Sequence, residues 1–396
     1  MDRPEVNTTP TLARTLNLRD LVLLLVGTVI GSGIFIVPSL VLRQTMGGTA
    51  VAMLVWLGAG ILSMLGALTY GELSATNPKA GGLYVFIRDC FGRLPAFLYG
   101  WTLFFIISSG SLATLAVAFG GYLSEIVPLS PAAVKLVALS MITVVTVVNV
   151  IGTRRSAKLQ NWTTVIKVVA ILALCVVLFW LGNGFAGISG QLWPKDVGVI
   201  SVASGVGLAT ISVLWAYEGW QYVTFSAGEV INAQSNFPRA LLIGSALLIG
   251  IYLFANLAYL SALGPVQAAQ TDSIAAAAIT AVADPATSKL VALAILVSIF
   301  GAANGITMTA PRVYYAMARD GLFFDRLAQV HPRFKTPAFA VMAGSLWAAI
   351  LAVTGTFEEL LTYVVFTGWI FYALAAASIF VYRRRVLERD LPYRVP

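Results

Sequence analysis

From Leu21 to Leu42 the chain passes without a charged residue, and at the centre of this run Val26–Phe35 reads VGTVIGSGIF. An apolar run of this length reads as a helix that crosses a bilayer. Gly27, Gly31 and Gly33, beside Thr28 and Ser32, interrupt it. Glycine costs roughly 1 kcal/mol against alanine in a helix interior, and in lipid a loosened turn also bares backbone groups that water does not reach. Such a break is tolerated where it is packed in protein or lines a cavity. The half-helix that restarts after it turns free N–H groups and a positive dipole end toward that cavity, which suits an anion. Two readings stand side by side: a midplane site for a small carboxylate, or a small-residue packing face, since Gly27 and Gly31 also satisfy Gly-x-x-x-Gly.

The remainder of the chain fixes the solvent it lives in. Its 396 residues are 59% hydrophobic and 11% charged, where soluble domains carry roughly 25% charge. The fold class is an all-α polytopic membrane protein. Apolar runs of about 20 residues place ten spans, at 18–45, 49–75, 94–124, 131–152, 160–181, 201–230, 239–263, 286–317, 337–355 and 359–382. No charged n-region and cleavage site precede the first span, so no cleaved signal peptide is expected. Cys90 and Cys175 are too few for a disulfide framework or a zinc site. The single histidine, His331 beside Pro332, reads as a solvated loop residue. No cofactor and no metal is expected.

A net charge of +8 raises the question of nucleic acid, and its distribution answers it. With the N-terminus cytoplasmic, the inner segments hold Arg3, Arg14 and Arg19, then Lys79, Arg88 and Arg93, then Arg154, Arg155 and Lys158. Arg239, then Arg312, Arg319, Arg326, Arg333 and Lys335, then Arg383, Arg384, Arg385, Arg389 and Arg394 follow, making 20 of the 25 basic residues. Arg43, Lys135, Lys195 and Lys289 fall outside, and Lys167 lies within a span. This is the positive-inside pattern, so both termini are expected in the cytoplasm and the basic excess reports topology, not nucleic acid.

Three charged residues inside or at the edge of spans bear on function. Glu72, at the inner end of span 2, either pairs with a basic residue as a gate or is solvated there, and the solvated reading is the simpler. Lys167 in span 5 sits about eight residues, or roughly 12 Å, from the cytoplasmic end. An intramembrane lysine is costly enough to suggest a role, such as replacing a coupling sodium ion or titrating to couple protons; the alternative is snorkelling. In span 6, Trp215-Ala216-Tyr217-Glu218-Gly219-Trp220-Gln221 interrupts an apolar run. An aromatic packing girdle accounts for the tryptophans and the tyrosine but not for Glu218, which at this depth must face a cavity or a partner.

Spans 1 and 6 are therefore both broken, five spans apart, so the second group of five runs inverted to the first. Paired interruptions in inverted halves point to a secondary-transporter site. No phosphate-cradling lysine motif supports an ATP-driven pump, and one loop histidine does not furnish a hydrolytic triad.

Val26–Phe35, Pro78-Lys79-Ala80-Gly81-Gly82, Asn149–Lys167, Trp215–Trp220 with Glu229 and Pro238-Arg239, and Phe300–Asn304 with Pro311-Arg312 together resemble the amino acid–polyamine–organocation superfamily. Within it the chain, from about Leu16 onward, is similar to the L-type amino acid transporters, above all bacterial serine/threonine and alanine/serine/cysteine exchangers. The resemblance implies a LeuT-like 5+5 inverted repeat and sodium-independent exchange of neutral L-amino acids by alternating access, with a proton-coupled importer as the nearest rival. It divides the chain into a cytoplasmic segment 1–17, repeats 18–181 and 201–382, and a cytoplasmic segment 383–396. Ser32, Gly33 and Gly31 would meet the substrate carboxylate. Carbonyls near Val29 and of Trp215, Ala216 and Glu218 would receive its ammonium. Trp215, where relatives more often have phenylalanine, would be the lid, and Gly219 would leave room for the side chain. Lys167 would stand in the place of a sodium ion and tie span 1 to span 8.

Two departures accompany the resemblance. Relatives usually have twelve spans, and the sequence stops at Leu391–Pro396, where the linker to span 11 would begin, which admits a non-transporting sensor or inactive relative as a reading from another class. Animal relatives attach a glycoprotein subunit through a cysteine in the loop between spans 3 and 4; residues 125–131 contain none, so no disulfide-linked partner is expected. The location expected is the prokaryotic inner membrane.

Overall fold

The computed structural model describes residues 12–188, 192–194, 197–355, 357–385 and 391–395. Arg3, Lys195 and Arg389 of the charge pattern, and residues 1–11 of the expected N-terminal segment, lie outside these. Asn17 and Asp20 start the first helix as a capping box: Asn17 Oδ1 accepts from the Asp20 N–H at 3.0 Å, and Asp20 Oδ2 from the Asn17 N–H at 3.1 Å. Helix α1 (Leu18–Val29) stops at the glycine-rich stretch, and α2 (Gly33–Gln44) resumes at 49° to it. Span 1 is thus two half-helices.

The chain continues through α3 (Thr49–Thr76) and the short α4 (Leu83–Phe91) into the long third span, Arg93–Ile126. That span is α5 (Arg93–Thr102), a π-helical turn at Leu103–Ile107, and α6 (Ser108–Ile126). In α7 (Pro131–Val150), Pro131 takes the first helical position behind the cap Ser130, where proline's missing N–H costs nothing. α8 (Thr153–Leu181) begins earlier than the expected residue 160, because Gly152 at φ 141° reverses the chain at once. The short α9 (Gly184–Ile188) follows.

In the second half, α10 (Val199–Ala216) ends at the aromatic stretch and only a single turn, α11 (Tyr222–Phe225), follows. α12 (Ala233–Gln270) bends at Gly264, φ 69°, just before Pro265. After α13 (Ile274–Val282), α14 (Ser288–Thr309) and α15 (Pro311–Arg319) divide at Pro311, and α16 (Ala338–Thr354) and α17 (Phe357–Arg385) complete the chain. Seven helical runs among the described residues are long and apolar enough to span a membrane, and the bent pair α1–α2 makes an eighth. The 17-residue α16 is apolar but shorter, so length and composition support eight spans among the described residues, and α16 and α17 lie where the sequence places the last two of ten.

α1 packs on α8, α12 and α14, α10 rests on α2 and α3, and α6 lies among α7, α14, α16 and α17. The arginine-rich end is stitched together by charge. Arg312, fully buried, donates Nε and Nη2 to the two carboxylate oxygens of Glu229 at 2.7 and 3.1 Å, and Nη2 also to Thr153 Oγ1 at 2.9 Å. The solvated reading of Glu72 is corrected here: the residue is 1% exposed, takes a two-pronged pair from Arg383 at 2.9 and 2.7 Å, and accepts the Val395 N–H at 2.7 Å. A buried carboxylate needs such partners to stay charged.

Candidate functional site

The two interruptions lie against each other. At the first, the Gly31 N–H folds back onto the Val29 carbonyl at 2.8 Å, and α2 starts at Gly33 with no side-chain cap from Ser32. Its leading N–H groups therefore lack helical acceptors. At the second, the Glu218 N–H closes onto the Trp215 carbonyl at 3.0 Å, and Gly219 takes φ 123°, a conformation that only glycine adopts readily. A side chain on Gly219 would begin 3.0 Å from the Thr28 carbonyl oxygen, and one on Gly33 would begin 3.1 Å from Ala216 Cα. The end of α10 and the start of α2 are in backbone contact, as are the Gly219 turn and the end of α1.

Between them lies a cavity of about 80 Å3 lined by Val29, Gly31, Ser32, Gly33, Trp215, Ala216, Glu218 and Gly219. The structure thus gathers the site residues expected from the two breaks around one space. The two glycine readings divide between two residues. Gly27 is a packing position, since a Cβ there would overlap Thr164 Oγ1 and Gln160 Nε2, whereas at Gly31 it would find its nearest neighbour, Leu115 Cδ2, at 3.8 Å, on the cavity wall. The Trp215 ring lies over Gly33, with Cζ3 3.6 Å from where a Cβ would stand. Glu218 both lines the cavity and accepts the Tyr372 hydroxyl at 2.6 Å and Gln221 Nε2 at 3.1 Å, which ties the break to α17.

Lys167 lies outside the cavity wall and does not snorkel. It is 1% exposed, and its ammonium donates to the carbonyls of Gly27 at 2.9 Å, Ile30 at 2.7 Å and Ser298 at 2.8 Å. Three acceptors match its three protons. Ser298 Oγ adds bonds to the Ile30 and Gly31 carbonyls at 2.9 and 3.0 Å. The unwound carbonyls of span 1 are thereby held from α8 and α14 together.

Several contributors escaped sequence reasoning. Ser111, Thr114 and Leu115 of α6, Tyr222 of α11, Ile306 of α14 and Val364 of α17 complete the lining. Ser111 and Thr114, spaced for one helix face in a span without charge, were the only visible signal. Tyr252 of α12 places its hydroxyl 3.1 Å from the Ala216 carbonyl and 3.3 Å from that of Val29, bridging two oxygens expected to receive an ammonium. The Ala216 carbonyl keeps a lone pair for a second donor, whereas that of Val29 also accepts the Gly31 N–H.

A helical membrane bundle with two helix interruptions meeting around one cavity defines a transporter-like class. The crystal structure of MhsT in complex with L-phenylalanine shares the fold, with a TM-score of 0.62 at 16% identity, over 94% of this chain and 89% of that one. This bears out the LeuT-like architecture. The amino acid permease family matches residues 16–396, and the chain belongs to that family, within the amino acid–polyamine–organocation superfamily. The serine/threonine exchanger SteT of Bacillus subtilis is 30% identical over 378 residues, covering 94% of this chain and 84% of that protein. The b(0,+)-type amino acid transporter 1 of Mus musculus is 32% identical over 396 residues, covering 98% and 80%. These relatives are membrane transporters, and the present chain is a multi-pass membrane protein of the same family.

Proposed function

We infer that this protein is a sodium-independent exchanger of small neutral L-amino acids, serine, threonine or alanine among them, working by alternating access in a prokaryotic cell membrane with both termini cytoplasmic. The observation that carries the reading is the cavity itself. The uncapped start of α2 and the carbonyl end of α10 both line it, so fixed partial charges of opposite sign are available to a zwitterion's carboxylate and ammonium. The N–H groups of Ser32 and Gly33, with Gly31 beside them, take the carboxylate. Carbonyls of Val29, Trp215, Ala216 and Glu218 take the ammonium, Trp215 closes over the substrate, and Gly219 leaves space for its side chain.

Lys167 supplies a fixed cation against the span 1 carbonyls, which supports transport without sodium. The small cavity, and the serine/threonine exchange named for one relative, support small substrates. Residues 18–181 and 201–382 act as the two inverted halves, with spans 1, 2, 6 and 7 rocking against 3, 4, 8 and 9. The absence of cysteine from residues 125–131 supports transport without a disulfide-linked subunit. Glu218, at the cavity and hydrogen-bonded to Tyr372, favours one second reading, proton-coupled import.

Trp215 gives a direct test. L-serine, L-threonine and L-alanine should change the tryptophan fluorescence of the purified protein in sodium-free buffer, and the change should be lost in Trp215→Phe. A response to none of the neutral amino acids overturns the assignment of the cavity.

A further inference from the structure

A second cavity, of about 500 Å3, opens at the arginine-rich end between the segment that precedes α1, the α7–α8 turn and the loop before α16. Arg154, Arg155, Arg333 and Lys335 converge on it. Topology requires cations in these loops, but it does not require that four of them share one hollow, where like charges repel unless an anion lies between them. Among the described residues the one carboxylate that pairs there, Asp20, is 3% exposed and already committed: it bonds Arg154 at 2.7 Å, Asn161 Nδ2 at 2.7 Å and the Asn17 N–H at 3.1 Å. Among the described residues Arg155, Arg333 and Lys335 are exposed and form no ion pair.

The backbone adds to this field. The 29-residue α8 begins in the same wall, with Gly152 as its cap, no side-chain cap and no acidic residue in its first turn. A helix start left this way favours an anion. Independently, Thr15 lines the cavity, and its Oγ1 is buried without a hydrogen-bond partner. Ile151 and Phe334 make the remaining wall apolar. An oxyanion carried on an apolar body fits both kinds of wall, and the site lies where spanning helices leave the bilayer.

We propose that this cavity seats the phosphate of an anionic phospholipid headgroup, clasped by Arg155, Arg333 and Lys335 over the start of α8. The lipid thereby pins the α7–α8 turn to the loop before α16. A leaflet containing anionic lipids holds such headgroups beside the site at high local concentration, and its negative surface potential repels a free phosphate ion.

Native mass spectrometry of the full purified chain tests this with phosphatidylglycerol, phosphatidylcholine and inorganic phosphate as probes. Phosphatidylglycerol should be retained and phosphatidylcholine should not. Arg155→Gln, Arg333→Gln and Lys335→Gln should each weaken retention roughly fivefold. A control with as many cations removed elsewhere at the same end, Lys79→Gln with Arg239→Gln and Arg326→Gln, should retain the lipid as the wild type does. Equal losses in this control and in the variant that combines Arg155→Gln, Arg333→Gln and Lys335→Gln would reduce the effect to general charge and overturn the proposal. Displacement of bound phosphatidylglycerol by millimolar inorganic phosphate would overturn it as well, by making free phosphate the ligand.

Discussion

The ammonium of Lys167 lies 2.7 Å from the carbonyl oxygen of Ile30, the residue at which α1 gives out. With the bond to Gly27, this one side chain supplies donors to carbonyls that the broken helix leaves bare, and its third bond, to Ser298, anchors it to α14. In the proposed mechanism this amine takes the place that a cation from solution would otherwise fill. Span 1 is held through it to α8 and α14, so any movement of span 1 must remake these bonds.

Lys167→Ala strips donors from buried carbonyls, each unmade bond costing about 1–3 kcal/mol. Exchange should fall by about tenfold or more at every pH, while the variant still inserts. Proteoliposome rates across a pH series check this. A rate equal to wild type throughout would show that the contacts have no part in the cycle.

Gly27 and Gly31 should separate cleanly. Gly27→Ala overpacks the contact with Thr164 and Gln160, at a cost of about 1–3 kcal/mol, and should lower the Tm. Gly31→Ala makes only an ordinary contact with Leu115, at 3.8 Å, so the Tm should hold while the methyl group narrows the cavity. Discrimination against threonine relative to serine should grow by about tenfold, the usual effect of one methylene in a tight pocket. Thermal unfolding and competition binding measure both.

Gly33→Val drives a branched side chain toward Ala216 and Trp215, at 3.1–3.6 Å already from the first added carbon. Substrate binding should be abolished with the protein still folded and membrane-inserted. Retained affinity in a thermal-shift titration would remove the carboxylate site from the start of α2.

Arg312→Met leaves the buried carboxyl group of Glu229 with its pair gone, a loss of about 3–5 kcal/mol. The single variant should lose most of its monodisperse yield, and the double variant with Glu229→Gln should recover much of it. Recovery measured by size-exclusion chromatography is the readout.

Much of this architecture is legible in the sequence because lipid narrows the choices. Charge-free runs such as Leu21–Leu42 must be helical there, and breaks rich in glycine or carrying Glu218 must face something polar. That logic reaches the residues of the two breaks, which the structure brings around one cavity. It does not reach Ser111, Thr114 or Tyr252, because a hydroxyl on a helix satisfies itself on its own backbone as readily as it faces a site. Glu72 misled for a related reason. A carboxylate at a membrane edge looks solvated until the fold brings Arg383, more than three hundred residues away, onto it. The early start of α8 shows the same limit, since apolarity marks the lipid-buried part of a helix and not its basic first turns.

The central claim is exchange through this cavity. Uptake of labelled L-serine, L-threonine and L-alanine into proteoliposomes in sodium-free buffer, with and without the same amino acid inside, tests it most directly. The account predicts rapid uptake only into loaded vesicles, with acid outside making no difference to empty ones. Equal uptake into empty vesicles, driven by external acid, would contradict exchange and make Glu218 the centre of a proton-coupled importer.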